Sequence, residues 1–137
     1  MKLFLDSSAF AKRFVNEEGS DAVEALCAGA EALGLSVICV PEIISALNRR
    51  LRERIVTPTQ YRQAKQRLLE DVRDADIIQL TPSVLGSALQ ILEESPVRAM
   101  DALHIACAQE WGADFFVSAD ERQLVAARRA GIKTRQA

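Results

Sequence analysis

Short, uninterrupted apolar runs recur along the chain, separated by longer stretches in which apolar positions return every three or four residues. The runs lie at Leu3 to Leu5, Leu35 to Val40, Asp76 to Leu80 and Asp114 to Ser118, with a weaker one at Ile132 to Thr134. Each is predicted to be a strand. Continuous rather than alternating hydrophobicity marks strands covered on both faces, as in a parallel sheet between helices. The expected fold is α/β, a three-layer α/β/α sandwich around a central, mainly parallel sheet.

The intervening stretches read as helices. Ser20 can cap one through Val23, Leu26 and Cys27, and Pro41 suits the first turn of another carrying Ile43, Ile44 and Leu47. Thr57-Pro58 opens a third, with Leu68, Leu69 and Val72 on its apolar side. Pro82 and Ser83 open a fourth through Val84, Leu85, Ala88, Leu89 and Leu92. The last two run from Ala99 to Trp111 and from Ala119 to Ala130, each followed by a glycine suited to a helix C-terminus, Gly112 and Gly131.

Composition narrows this picture. At 137 residues, 49% hydrophobic and 26% charged, the chain suits a single domain spanning 1–137. A formal charge of -2 gives no global basic signal, so any nucleic-acid binding has to be local. Cys27, Cys39 and Cys107 are odd in number, far apart and form no CxxC, against both a disulfide framework and a structural zinc site. No apolar run approaches the ~20 residues of a membrane span, so the expected location is the cytoplasm.

Ligands of open parallel sheets bind beyond the carboxyl ends of the strands. Four acids fall there or in the first turn of a helix: Asp6 after the first strand, Glu42 two residues after LSVICV, Asp120 two residues after DFFVS, and Asp101 early in RAMDALHIACA. Any one alone is explained as a cap or a solvated charge, because helix N-termini favour negative charge. Their joint placement is not. Asp101 also interrupts a segment whose neighbours suggest burial, where an unpaired carboxylate is costly. Converging carboxylates ~4 Å apart repel by about 4 kcal/mol per pair at an effective dielectric of 20. Among nearby cations only Arg98 and Arg122 are adjacent in sequence, and they are expected to point elsewhere or toward substrate. Oxygen-bound Mg2+ or Mn2+ is the simpler relief.

LDSSAFAKRF, PEIISALNRR and RAMDALHIACAQEWGADFFVSADERQLVAARRAG resemble, in order and across the whole chain, the motifs of the PIN domain family, and within it the VapC-type ribonuclease toxins of toxin-antitoxin pairs. The resemblance implies a metal-dependent endoribonuclease. Asp6, Glu42, Asp101 and Asp120 become its acidic metal site, Asp6 and Asp101 as main ligands, with Glu42 and Asp120 completing a second site or orienting water. Ser118 stands where the family commonly has Thr or Ser, and Ser7 and Ser8 fill its small polar positions. It also implies an RNA substrate, a cognate antitoxin and a homodimer, for which the Thr57 to Ala75 and Pro82 to Glu94 helices are the candidate surface. Other expectations within the same fold are an RNA-processing nuclease without a toxin role, or an interaction module with a decayed site.

Lys12, Arg13, Arg49 and Arg50, with the NRRLRER run, are candidates for RNA contact, although arginine runs on helices are more often solvated faces or partner contacts. His104 reads as a packing histidine bonded to a backbone group, with a ligand role as the alternative. Trp111 reads as a core-edge or dimer residue. Haloacid-dehalogenase-like phosphatases want DxD where this chain has Asp6-Ser7-Ser8, and receiver domains want paired acids near the first strand. Neither GxGxxG nor GxxxxGK[ST] occurs.

Overall fold

The computed structural model describes residues 1–137. In chain order the elements are β1 (Lys2–Leu5), α1 (Ser7–Ala11), α2 (Ser20–Ala28), β2 (Ala32–Ser36), α3 (Cys39–Arg52), α4 (Pro58–Val72), β3 (Asp76–Ile78), α5 (Pro82–Glu94), α6 (Ala99–Trp111), β4 (Phe115–Ser118), α7 (Glu121–Arg129) and β5 (Lys133–Gln136). The strands form one sheet in the order β3-β2-β1-β4-β5, and all four pairings are parallel. No helix is long and apolar enough to cross a membrane.

The pleat sends alternate side chains to opposite layers. Leu3, Leu5, Leu35 and Val117 join the core shared with α1 to α4, whereas Phe4 and Phe116 join the core shared with α5 to α7. Phe4 and Phe116 stack at 5.9 Å between centroids. Burial on both faces thus accounts for the unbroken apolar runs. The expected α/β/α sandwich is the fold observed.

Several boundaries differ from the sequence reading. The run Leu35 to Val40 is split: β2 starts earlier, at Ala32, and the chain has already entered α3 by Cys39. Ile38 N–H donates to Ser36 Oγ (3.3 Å) as the strand ends, and Cys39, Ile43 and Leu47 then form a buried column at i, i+4 and i+8. An apolar run crossing from strand to helix carries no change of period to mark the junction. Ser20 is the first residue of α2 rather than its cap. Gly19 holds the cap position at φ 90°, and Ser20 Oγ accepts from Glu17 N–H (3.0 Å) while donating to the Val15 carbonyl (3.3 Å). The expected Ala119 to Ala130 helix starts only at Glu121, with Asp120 as its cap. The five-residue α1 was not anticipated. It is capped by Asp6, whose side chain accepts from Ala9 N–H.

Trp111, the last residue of α6, packs over β2 and reaches the start of β3. Its indole N–H donates to Asp76 Oδ2 (3.0 Å), Lys2 Nζ lies 4.3 Å from its ring centroid, and its ring rests on Gly34. A Cβ at Gly34 would meet Trp111 Cε3 at 2.7 Å. Gly34→Ala is therefore expected to destabilise the fold by about 1–3 kcal/mol, the usual cost of overpacking. Urea unfolding measures it, and a loss below about 0.5 kcal/mol would show that the indole gives way freely.

Candidate active site

The sheet order changes direction at β1, so β1 and β4 flank the crevice where open parallel sheets take their ligands. Asp6 follows β1 and Ser118 ends β4. Asp6 N–H extends the ladder by donating to the Val117 carbonyl (3.1 Å), which brings the two side chains together. Ser118 Oγ donates to Asp6 Oδ2 at 2.6 Å. Ser8 Oγ and Ala9 N–H donate to Asp6 Oδ1 at 2.7 and 2.9 Å. Asp6 is fully buried. Burial pushes its carboxyl above the usual aspartate range, against the lowering effect of the Ser118, Ser8 and Ala9 donors and of nearby His104.

Ser118 also links Asp6 to Asp120. Its Oγ accepts from Asp120 N–H (2.9 Å), and Asp120 Oδ1 caps α7 by accepting from Arg122 N–H (2.9 Å). Ser8 Oγ completes this turn by accepting from Ala119 N–H (3.1 Å). The hydroxyl positions after the first acid and before the last are thus parts of one hydrogen-bonded junction.

On the other side of the crevice, α3 presents Glu42 and α6 presents His104. Ser7 Oγ and His104 Nε2 both donate to Glu42 Oε1, at 2.6 and 2.5 Å, leaving Oε2 without a hydrogen-bond partner. Burial alone would raise the Glu42 carboxyl, but the His104 and Ser7 donors outweigh it and hold the group below the usual range. His104 is buried and its Nδ1 has no partner. The expectation of a packing histidine bonded to backbone is therefore corrected: its ring bonds a site carboxylate. Lying one turn beyond Asp101, it faces the crevice from the same side of α6.

Asp101 sits in the first turn of α6. Its Oδ2 accepts from Arg98 N–H (3.2 Å) and its Oδ1 from Gln123 Nε2 (3.0 Å). Burial raises its carboxyl, and the negative charge of Asp120 raises it further against the Arg98 N–H and His104. Asp101 and Asp120 line one cavity of ≈ 380 Å³ with Pro96, Val97, Arg98 and Arg122. Gln123 is buried on α7 and its Oε1 has no partner. The sequence reading missed this residue, because a glutamine two positions past a helix start carries no mark distinguishing it from a surface residue.

Ser118 thus ties Asp6 to Asp120, which shares a cavity with Asp101, and Glu42 bonds His104 one turn along α6 from Asp101, but as the side chains stand no three His, Cys, Asp or Glu groups meet at metal-ligating distance. The donor set nevertheless fits a hard divalent cation. It is all oxygen, and Asp6 is buried without an ion pair. Burial and the charge of Asp120 raise the Asp101 carboxyl, and the charges of His104 and Arg98 offset the combined effect only in part, while Glu42 Oε2 and Asp120 Oδ2 accept no hydrogen bond. The cysteines stay outside this chemistry: burial pushes the Cys39 thiol up to about 12.

The cations expected to meet RNA lie differently. Lys12 Nζ donates to the Glu18 carbonyl and lies 3.8 Å from Glu17. Arg13 pairs with Glu24 (3.1 Å) and Asp71 (3.5 Å), and Arg50 with Glu17 (3.7 Å). Arg49 is exposed without an ion pair, in the last turn of α3. Three of the four are thus engaged by acids of the chain itself.

The raised pKa of Asp6 has a defined sign. Above the ordinary aspartate value of 3.8 the folded state still holds a proton that the unfolded chain has released, so stability falls as pH rises through the folded value. Asp6→Asn cannot ionise and is expected to abolish that fall. Urea unfolding in EDTA from pH 4 upward should show the wild type losing stability relative to the variant, and a wild type that gains stability relative to the variant over that interval would contradict the burial argument.

Comparison with known proteins fits this geometry. The chain is 29% identical over 133 residues to Ribonuclease VapC45 of Mycobacterium tuberculosis (strain CDC 1551 / Oshkosh), covering 96% of this chain and 92% of that protein. The crystal structure of Mycobacterium tuberculosis VapC20, described as a Sarcin-Ricin loop cleaving toxin, has a similar fold with a TM-score of 0.71 at 18% identity, over 90% of this chain and 94% of that one. VapBC2 from Rickettsia felis, bound to a DNA fragment from its promoter, gives a TM-score of 0.71 at 12% identity over 100% and 99% of the two chains. The PIN domain family matches residues 3–129, which take in every helix and every strand but β5, and the chain belongs to that family.

Proposed function

We propose that this protein is a Mg2+- or Mn2+-dependent endoribonuclease that hydrolyses RNA phosphodiester bonds as the toxin of a type II toxin-antitoxin pair. The observation that carries the reading is the buried Asp6 carboxylate beyond β1, tied by Ser118 to Asp120 in a chain of the PIN family. The name of the VapC45 relative supports ribonuclease activity, and the toxin description of VapC20 supports the toxin role.

Asp6 and Asp101 would hold the cation, with Glu42 and Asp120 beside them. When bound, a divalent cation stabilises charge on phosphoryl oxygens and makes water nucleophilic at neutral pH. The chain's own groups divide the remaining work. Glu42 is kept ionised by His104 and Ser7 on Oε1, and so presents Oε2 as the acceptor that orients attacking water. Ser118 fixes the Asp6 carboxylate, and Gln123 fixes Asp101. The ionisation cost that burial imposes on Asp6 and Asp101 is what a cation would offset.

A cognate antitoxin and a second copy of this chain are the proposed partners. The candidate surface divides between layers, since α4 packs with α3 on one face of the sheet and α5 with α6 on the other. The α5 part is the more apolar: Leu85, Leu89 and Leu92 are 47, 62 and 37% exposed at i, i+4 and i+7. Leu89→Glu is expected to convert a dimer into a monomer in sedimentation velocity, and a mass unchanged from wild type would remove this surface from consideration.

Asp101→Asn is expected to lower RNA cleavage at least about 100-fold, because even the outer partners of metal ligands cost 10–100-fold. Wild-type folding should gain about 2.7 kcal/mol at Mn2+ concentrations 100 times the dissociation constant, and the variant much less. Cleavage that persists in EDTA would overturn the mechanism. Sequencing the 5′ ends of the RNA fragments identifies the substrate.

A further inference from the structure

We infer that Arg98 and Arg122 grip the RNA phosphate backbone, so that the strand crosses the N-terminal ends of α6 and α7 rather than the basic run of α3. The inference rests on the ribonuclease reading above and adds the residues that hold the substrate.

Both arginines line the ≈ 380 Å³ cavity that contains Asp101 and Asp120. Each is exposed, and neither side chain makes an ion pair or a hydrogen bond within the chain. Their main chains are anchored instead. Arg98 N–H donates to Asp101 Oδ2 and Arg122 N–H to Asp120 Oδ1, so the bond that fixes each acid also fixes where the neighbouring guanidinium starts. Two guanidinium groups beside two acids, paired with neither, form a site left open for an outside anion. A planar guanidinium suits a phosphate through bidentate hydrogen bonds.

The alternative basic surface is less suited. Lys12, Arg13 and Arg50 are engaged by Glu17, Glu18, Glu24 and Asp71. The remaining arginines of α3 lie in its last turn, whereas Glu42 lies in its first. At 1.5 Å per residue Arg49 is about 10 Å and Arg52 about 15 Å farther along the axis than Glu42. Arg98 and Arg122 border the acids directly. Such contacts position a strand without reading its sequence.

The test measures cleavage of an RNA that the wild type cuts, over a series of KCl concentrations, for Arg98→Gln, Arg122→Gln, the double variant and Lys133→Gln, an exposed control at the start of β5. Because main-chain N–H groups survive these substitutions, the bonds to Asp101 and Asp120 remain, and thermal melting with and without Mn2+ checks fold and metal site independently. Each site variant is expected to raise KM and to flatten the slope of log kcat/KM against log salt by about 0.7, the value for one phosphate contact on a single strand. The control and the Mn2+ stabilisation should match wild type. Wild-type KM and slope in the double variant would overturn the inference while leaving the ribonuclease reading intact. So would a slope change carried by Arg49→Gln instead, or loss of Mn2+ stabilisation in the arginine variants. A wild type that cuts no RNA would overturn the ribonuclease reading itself, and this inference with it.

Discussion

A carboxylate with no access to water, held between two parallel strands by a serine hydroxyl, is the constraint on which the rest of this molecule turns. Removing Asp6 from water is costly, and three donors offset only part of that cost. The arrangement exists because β1 and β4 are neighbours at the point where the sheet order reverses. It in turn fixes two helix starts: Asp6 caps α1, and the same Ser118 hydroxyl steadies the residue that caps α7. Local capping and the long-range closure of the sheet are therefore satisfied by the same few atoms.

Around this junction the environment pushes neighbouring acids in opposite directions. Glu42 is driven toward the ionised form by two donors on one oxygen, while Asp6 and Asp101 are driven toward protonation. Groups of one chemical kind thereby acquire different proton affinities within one crevice, the general means by which a site assigns different tasks to like residues. His104 is the hinge of this division. It lies close enough to lower Asp6, Glu42 and Asp101 alike, yet of the three acids it hydrogen-bonds Glu42 alone.

Much of this was legible in the chain. Runs buried on both faces, prolines in first turns and glycines after last turns located the sheet and most helices, because those signals come from local backbone chemistry. The acids at strand ends were legible for the same reason. The boundary between β2 and α3 was not, since Leu35 to Cys39 is apolar on either assignment. Nor was the pairing of His104 with Glu42, which lies 62 residues away in sequence, or the burial of Gln123 against Asp101. The fate of the basic residues was hidden too: an arginine run looks the same whether its charges face water or, as with Arg13 and Arg50, meet acids contributed by α2, α4 and the loop after α1. Such facts depend on which elements the fold brings side by side.

The bond between Asp6 and Ser118 spans 112 residues. During synthesis Asp6 emerges long before Ser118, so β4 cannot join β1 until the intervening residues have followed, and contacts of such sequence separation form late. A nascent chain lacking β4 has every apolar strand it needs to begin collapsing, yet not the partner that its central carboxylate requires. The crevice is consequently assembled only after β4 has followed β1 out of the ribosome, and until then the growing chain holds no complete acidic site.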